Sequence, residues 1–421
     1  MQLKQAYLNK VMAGILLALP VNAMADATYD TLRNQVEALQ KQLQDVQQSL
    51  DNYQHKSTSK RKFSALEKKV AQAAEWKTPN TLIHMSGYAD VGYTDSKNTN
   101  GSFNLGSFSP IFHFQYRDLV MLESELEFEV EPDGGTSVAL EYLTVDLFLN
   151  DYVALVAGKF LSPIGQFRQN LHPSWVNKLP SAVPGFGHDG AAPVSDVGLQ
   201  LRGGFPINRM RTNYAIYIAN GPELNAEWDG TGFELDGTNA EGFGSDRDGK
   251  KVIGGRFAVL PIPKLEFGIS AATGKATVSK IEDDLGTAPA IVIGAEQRRD
   301  YDVLGFDMSW QYRGLNIRGE YVQTKIGSDN STGVTASPGG KWTAWYAQIA
   351  YQFLPGKYEA VIRYADFNTP HPSVDQKQTT IGLNYLFANN VIGKLAYEIN
   401  KGLSGSTTDE NRILFQLAYG F

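Results

Sequence analysis

The stretch LVMLESELEFEVE, residues 119–131, carries a carboxylate at every second position over most of its length. Successive side chains of a β-strand point to opposite faces, so this alternation predicts a strand with one acidic and one mostly apolar face. A row of carboxylates cannot face lipid or a dry core without a large free-energy cost. The acidic face must therefore meet water. The row consists of Glu123, Glu125, Glu127, Glu129 and Glu131.

Alternation with a period of two extends over the rest of the chain, from residue 82 to residue 421. It predicts sixteen strands, most of them 10–14 residues long, and about 9–11 residues suffice for a tilted strand to cross a membrane. The predicted strands cover 82–93, 104–117, 119–131, 136–149, 152–161, 194–203, 209–219, 251–260, 264–273, 300–313, 314–325, 341–354, 357–367, 377–388, 390–400 and 411–421.

The connections between these strands alternate in length. Turns such as 313–314 are very short, whereas 94–103, 162–193 and 274–299 are long and polar. Short turns at one edge and long loops at the other are typical of outer-membrane barrels. Closure satisfies every backbone group in hydrocarbon, and sixteen strands enclose an aqueous channel. The sequence therefore predicts an all-β fold, a 16-stranded antiparallel transmembrane β-barrel over residues 81–421, surrounded by lipid in the outer membrane of a Gram-negative cell.

Residues 1–25 have the pattern of a secretory signal peptide. Lys4 and Lys10 precede the apolar run VMAGILLAL, and an A-x-A cleavage site ends at Ala25. The run is shorter than the about 20 residues that a spanning helix needs. Export is therefore expected, and a buried N-terminal helix is the alternative.

Residues 26–80 are predicted to form a periplasmic coiled-coil segment and a linker. Apolar residues recur there at spacings of three and four, which keeps one seam facing a partner helix. A single amphipathic helix lying on the chain's own barrel is the alternative. The basic run at 55–62 is interpreted as a solvated linker or as a contact with anionic headgroups or the cell wall. The seam residues are Tyr29, Leu32, Val36, Leu39, Leu43, Val46, Leu50 and Tyr53.

Composition narrows the class of partner. The sequence has no cysteine, which excludes disulfides and thiolate metal sites, and no cofactor is expected. The formal net charge is −7; without residues 1–25 it is −9, because 36 basic residues then oppose 45 acidic ones. An acidic chain argues against nucleic acid as a partner.

The last eleven residues, NRILFQLAYGF, alternate in the same way and end on an aromatic ring. A C-terminal strand of this kind resembles the sorting signal that the barrel assembly machinery reads. Tyr419 and Phe421 are therefore predicted to be the assembly signal, and the last strand is predicted to close the barrel against the first.

Several motifs follow one another along the barrel region: SGYADVGY, LESELEFE, GKFLSPIGQF, VGLQLRG, YAIYIANGPE, AYQFLPGKYEAVIRYADFN and TTIGLNYLF. In order and spacing they resemble the phosphate-selective porin O/P family, over nearly all of 82–421. The resemblance implies a homotrimer of 16-stranded barrels, each with its third long loop folded into the pore. The N-terminal heptads are similar to those of trimeric porins for dicarboxylates, which implies that they help to fix the trimer.

The loop that follows GKFLSPIGQF is the candidate constriction. Basic side chains in a narrow lumen select ions through a focused field, and the loop supplies Arg168, His172, Lys178 and His188. Strand parity directs a further set of arginines toward water, where they would oppose Glu123, Glu125, Glu127 and Glu129 or simply form ion pairs that stiffen the wall. These are Arg117, Arg202, Arg211, Arg256, Arg313, Arg318 and Arg363.

The predicted function is a porin, a water-filled channel for passive diffusion of small hydrophilic solutes and ions. The resemblance extends this to anions such as phosphate or organic acids, although the chain is acidic and has no lysine cluster near the loop. An outer-membrane barrel enzyme and an adhesin or surface receptor are the alternatives. Catalysis is not expected, because the adjacent His188-Asp189 pair is weak ground for a triad, which is recognised by geometry.

Overall fold

The computed structural model describes residues 80–421 apart from 132, 189, 192, 229–232, 239–243, 245, 247–248, 283–298, 329–337 and 355. The signal peptide predicted at 1–25 lies outside the described residues. So does the coiled coil predicted within 26–80, and both stay predictions. Among the described residues, no helix is long and apolar enough to cross a membrane.

Sixteen long strands form one closed antiparallel barrel. They are β1 (Thr81–Ser96), β2 (Thr99–Tyr116), β3 (Val120–Val130), β4 (Thr136–Asn150), β5 (Val153–Leu161), β6 (Ser195–Gly203), β8 (Met210–Asn220), β11 (Lys251–Ile262), β12 (Leu265–Glu282), β13 (Arg299–Tyr312), β14 (Leu315–Ile326), β15 (Gly340–Phe353), β16 (Tyr358–Asn368), β17 (Gln376–Ala388), β18 (Val391–Lys401) and β19 (Arg412–Gly420). Three shorter strands complete the sheet: β7 (Pro206–Ile207), β9 (Glu223–Trp228) and β10 (Phe233–Thr238).

The last strand closes the barrel against the first, as predicted. β19 pairs with β1 from Gly420 opposite Tyr88 to Arg412 opposite Ser96. Beyond this ladder, Phe421 exchanges two backbone hydrogen bonds with Gly87, each of 2.9 Å. Closure leaves no open edge strand in the barrel, which is what a sheet within hydrocarbon requires.

Three of the long connections between predicted strands are partly strand, and one of them, between 209–219 and 251–260, holds β9 and β10. β1 and β2 stay paired as far as Ser96 and Thr99, so the loop predicted at 94–103 is wrong. β12 reaches Glu282 because its far end pairs in parallel with β9 of the β9–β10 hairpin. Strand segments beyond the membrane can be polar on both faces, because their backbone pairing needs no apolar face. Such segments lack the alternation from which strands are predicted.

The alternation separates a lipid-facing surface from a polar interior. On β19, Phe415 and Leu417 are 46% and 38% exposed, whereas Gln416 and Ala418 are 7% and 0% exposed. The same contrast recurs around the barrel, where exposed apolar side chains alternate with buried polar ones. This is the reverse of a soluble protein and matches a membrane barrel with a polar lumen.

Aromatic side chains gather at the short-turn edge. The rings of Phe353, Tyr358, Tyr385 and Phe387 contact one another in sequence, with centroid distances of 5.9, 5.0 and 4.7 Å. Such girdles mark the level where the hydrocarbon meets water.

Candidate functional site

The connection between β5 and β6, residues 162–194, folds back into the barrel; we call it the inner loop. Its Phe167 and Phe186 pack on Tyr346 of β15, with ring centroids 6.5 and 5.2 Å apart. Further along, Leu179 is fully buried against side chains of β15, β16 and β18. These apolar contacts cover one side of the lumen and leave the opposite side, formed by β3 and β4, facing the loop.

Glu320 of β14 fixes the start of the inner loop. Its carboxylate accepts hydrogen bonds from the backbone N–H groups of Gln166 and Phe167, at 3.2 and 3.1 Å. Gly165 precedes them with φ of +74°, and a Cβ at this position would run into the Glu320 carboxyl group. Glycine is therefore required both by the backbone angle and by the space. A π-helical turn, Phe167–Leu171, follows directly.

Arg363 of β16 holds the middle of the inner loop. Its side chain is completely buried and donates to the backbone oxygens of Ser181 and Ala182, at 3.2 Å each, and to Ser181 Oγ at 3.0 Å. Nearby, Lys394 of β18 donates to the backbone oxygen of Ser174. Two buried cations of the wall are thus used to satisfy loop carbonyls.

Lys178 of the inner loop pairs with the wall. It forms an ion pair with Glu359 of β16, and both side chains are largely buried. Asn384 donates to the second oxygen of the same carboxylate at 3.1 Å. The positive charge of Lys178 is therefore neutralised behind the loop.

We expect Arg363→Met to loosen the inner loop. The substitution keeps the apolar length of the side chain but removes the donor to the Ala182 carbonyl and one of two donors to the Ser181 carbonyl and to the Gln378 side-chain oxygen, at a cost of about 2 kcal/mol. Thermal unfolding, followed by the heat-dependent shift in gel mobility, should occur at a lower temperature. Lys377→Met on β17 is the matched control, since that side chain is 56% exposed and lies 3.8 Å from Asp366. Equal losses in both variants would contradict the anchoring role.

The acidic row of β3 lies on the lumen side. Tyr88 donates to Glu125 at 2.7 Å, and Tyr142 donates to Glu123 at 3.2 Å. The inner loop meets the row at His172, whose Nε2 lies 3.7 Å from Glu125 Oε1. We call the inner surface of β3 and β4 the acidic wall.

Glu141 joins the acidic wall at a break in the alternation of β4. A bulge in the β3–β4 ladder pairs Glu125 with Tyr142 and then Leu126 with Leu140, so Glu141 is the extra residue. Its side chain is 3% exposed. The sequence signals the bulge only as a change of parity, from Val138 and Leu140 to Leu143 and Val145, and Glu141 is absent from the residues predicted above. Strand parity also predicts that Glu320 faces inward, whereas the roles of Glu320 and Glu359 depend on the path of a distant loop.

Three cavities follow one another along the inner loop, and the first two lie between the loop and the acidic wall. The outer cavity, of about 410 Å³, has Glu127, Glu129 and Glu141 on one side and Arg168 and His188 on the other. The middle cavity, of about 260 Å³, lies beside Glu123 and Glu125. The third, of about 680 Å³, is lined by Arg202, Arg256 and Arg318 near the short turns.

The three cavities adjoin one another. His172 lines both the outer and the middle cavity, and Arg202 lines both the middle and the third. Polar side chains therefore line a row of spaces along the loop, and the contact between His172 and Glu125 lies at the boundary between the first two.

Three of the predicted arginines that line the third cavity have local partners. Arg202 forms an ion pair with Asp146. Arg256 binds Asp307 through two nitrogens, at 2.6 and 2.8 Å, and Glu266 at 2.8 Å. Ion pairing, the alternative considered for each arginine, thus holds for these two. The third, Arg318, donates to the side-chain oxygen of Asn316 at 3.0 Å.

The remaining arginines lie away from the inner loop. Arg117 and Arg313 sit in short turns with φ of 51° and 44°, each over the ring of the preceding tyrosine. Their strands end one residue earlier than predicted, at Tyr116 and Tyr312, which corrects their expected place on the lumen wall. Arg211 is exposed at the start of β8.

Comparisons with known proteins identify the fold. The anion-selective porin from Comamonas acidovorans superimposes with a TM-score of 0.54 at 14% identity, covering 81% of this chain and 100% of that one. The outer membrane channel DcaP of Acinetobacter baumannii gives 0.52 at 8% identity, covering 82% and 99%. The in-vitro folded, trimeric form of OmpT, an outer membrane protein of Vibrio cholerae, gives 0.51 at 12% identity, covering 81% and 100%. No family model and no curated protein matches the sequence. The chain therefore has the fold of the outer-membrane porins.

Proposed function

We propose that the chain is a porin of the Gram-negative outer membrane, through which small hydrophilic solutes and ions diffuse passively. The observation that carries the proposal is the series of adjoining polar cavities along the inner loop, inside a closed barrel. A barrel of sixteen strands is wide enough for an aqueous path even with a loop inside. Purified protein added to a lipid bilayer should produce stepwise, ohmic conductance. A bilayer that stays silent while the protein is folded would overturn the proposal and favour the enzyme or adhesin alternatives.

The charge balance of the outer cavity favours cations. In the outer cavity the carboxylates of Asp90, Glu127, Glu129 and Glu141 face the single guanidinium of Arg168, among the described residues. Lys178, which the sequence suggested for the constriction, is neutralised by Glu359. The family resemblance implies the opposite preference, for phosphate or organic acids. The reversal potential of the same channels under a salt gradient distinguishes the two.

The proposal has two further parts. The chain is a member of the phosphate-selective porin O/P family, and it forms a homotrimer held partly by the N-terminal heptads. The order of the sequence motifs supports the first, and the trimeric form of one similar protein supports the second. Three equal conductance steps from one inserted particle would support a trimer. A single step from each particle would contradict it.

The C-terminal aromatic residues are proposed as the signal for the barrel assembly machinery. Phe421 stacks on Phe108 at 6.0 Å and contacts Tyr419 at 5.8 Å, at the seam where the barrel closes. We expect Phe421→Ala to reduce the folded protein in outer-membrane fractions several-fold, with unfolded chain accumulating in the periplasm. Phe387→Ala removes another outward aromatic, 64% exposed, and is the control. An equal reduction in both variants would indicate loss of girdle packing only.

A further inference from the structure

We propose a site for a divalent transition-metal ion at the outer cavity, formed by Glu127, Glu141 and His188. One ligand atom from each side chain lies within 4.8 Å of the corresponding atoms of the other two. Glu127 and Glu141 belong to neighbouring strands of the acidic wall, whereas His188 belongs to the inner loop. An ion bound by all three would tie the loop to the wall across the proposed path.

The state of Glu141 is an independent sign of a ligand. Its side chain is 3% exposed, yet its Oε1 has no hydrogen-bond partner among the described residues. It nevertheless lines the 410 Å³ outer cavity. Burying a carboxylate oxygen without a donor is costly. A cation in the cavity removes this cost, because it coordinates that oxygen directly.

The ligand set indicates which ions fit. Two carboxylates and one imidazole suit Zn²⁺ and related transition metals, whereas Mg²⁺ prefers oxygen ligands alone and keeps most of its water. Three protein ligands leave coordination positions open for water. The bound ion should therefore exchange with solution rather than act as a permanent structural metal.

A histidine pair elsewhere in the lumen complicates a simple zinc titration. His84 and His113 face each other across β1 and β2 with their Nδ1 atoms 3.4 Å apart, in an exposed position near the short turns. This pair would also take up zinc. All binding measurements therefore use a His84→Ala/His113→Ala background, in which the proposed site is intact.

The first test measures binding without reference to conductance. Equilibrium dialysis of the purified full-length protein in this background should detect one Zn²⁺ per chain, and excess Mg²⁺ should not displace it. Adding His188→Ala or Glu141→Gln should weaken binding at least about tenfold, since even second-shell changes at metal sites cost about 10–100-fold. Glu129→Gln removes one charge from the same cavity without removing a ligand, and it should change affinity far less. Equal weakening by all three variants, or displacement by Mg²⁺, would show a diffuse counter-ion cloud and overturn the site.

The second test asks what the bound ion does, and this part rests on the proposed porin function. Zn²⁺ should reduce single-channel conductance reversibly at the concentrations that saturate the dialysis signal, and His188→Ala should abolish the block. Binding without block would separate the metal site from the path. Absence of any conductance, with binding intact, would instead count against the porin proposal alone.

Discussion

Excision of the inner loop is expected to raise the single-channel conductance several-fold. Leu161 and Ser195 are paired across neighbouring strands, so residues 163–193 can be replaced by a hairpin turn of about four residues without parting β5 from β6. The loop occupies the lumen between the acidic wall and β14–β18, and its removal opens the whole cross-section. Conductance rises because the path widens where it is narrowest. The increase should be visible as larger unitary steps in a planar bilayer.

The control shortens a loop that does not enter the lumen. The connection 402–411 lies at the same edge of the barrel, and most of its side chains are exposed or half-buried. Shortening it should leave the unitary step unchanged. If excision of the inner loop also leaves the step unchanged, the cavities beside the loop are closed pockets and solutes do not pass along them.

The barrel itself could be predicted from the sequence because lipid and water impose opposite demands on alternate residues. Phe415 beside Gln416 on β19, and Phe128 beside Glu127 on β3, show this alternation of lipid-facing and water-facing residues. Strand number, closure and the lumen side of the acidic row all follow from it. Outside the apolar zone, both faces of a strand can be polar, so alternation does not reveal where the strand ends. The predicted lengths of β1, β2 and β12 are therefore too short.

The partners within the lumen could not be predicted in the same way. Lys178 and Glu359 are 181 residues apart in the chain, and their ion pair exists only because the inner loop crosses to β16. The family resemblance implies that a basic loop enters the barrel, but it does not imply that the lysine of this loop is neutralised there. Glu141 differs again, since a bulge of one residue reverses the face on which it lies.

Replacement of Glu123, Glu125, Glu127 and Glu129 by glutamine is expected to reverse or abolish a preference for cations. Glutamine keeps the size and the polarity of each side chain, and the Tyr88 and Tyr142 hydroxyls can still donate to an amide oxygen. A unit charge beside a partly solvated path contributes on the order of 1 kcal/mol. Loss of the row should therefore change the cation-to-anion permeability ratio by about tenfold or more. The reversal potential under a KCl gradient measures this ratio.

If the acidic wall sets the ion preference, the change in reversal potential must depend on where the carboxylates lie and not on the net charge of the protein. Neutralising four exposed carboxylates outside the lumen removes the same total charge: Asp118, Asp133, Asp302 and Asp409. This variant should keep the wild-type reversal potential. Because the Debye length shortens from about 10 Å at 0.1 M salt to about 3 Å at 1 M, the wild-type preference should also weaken as salt rises. A wild-type channel that prefers anions would mean that Arg168 and its neighbours on the inner loop outweigh the row, since they face it across the same cavity.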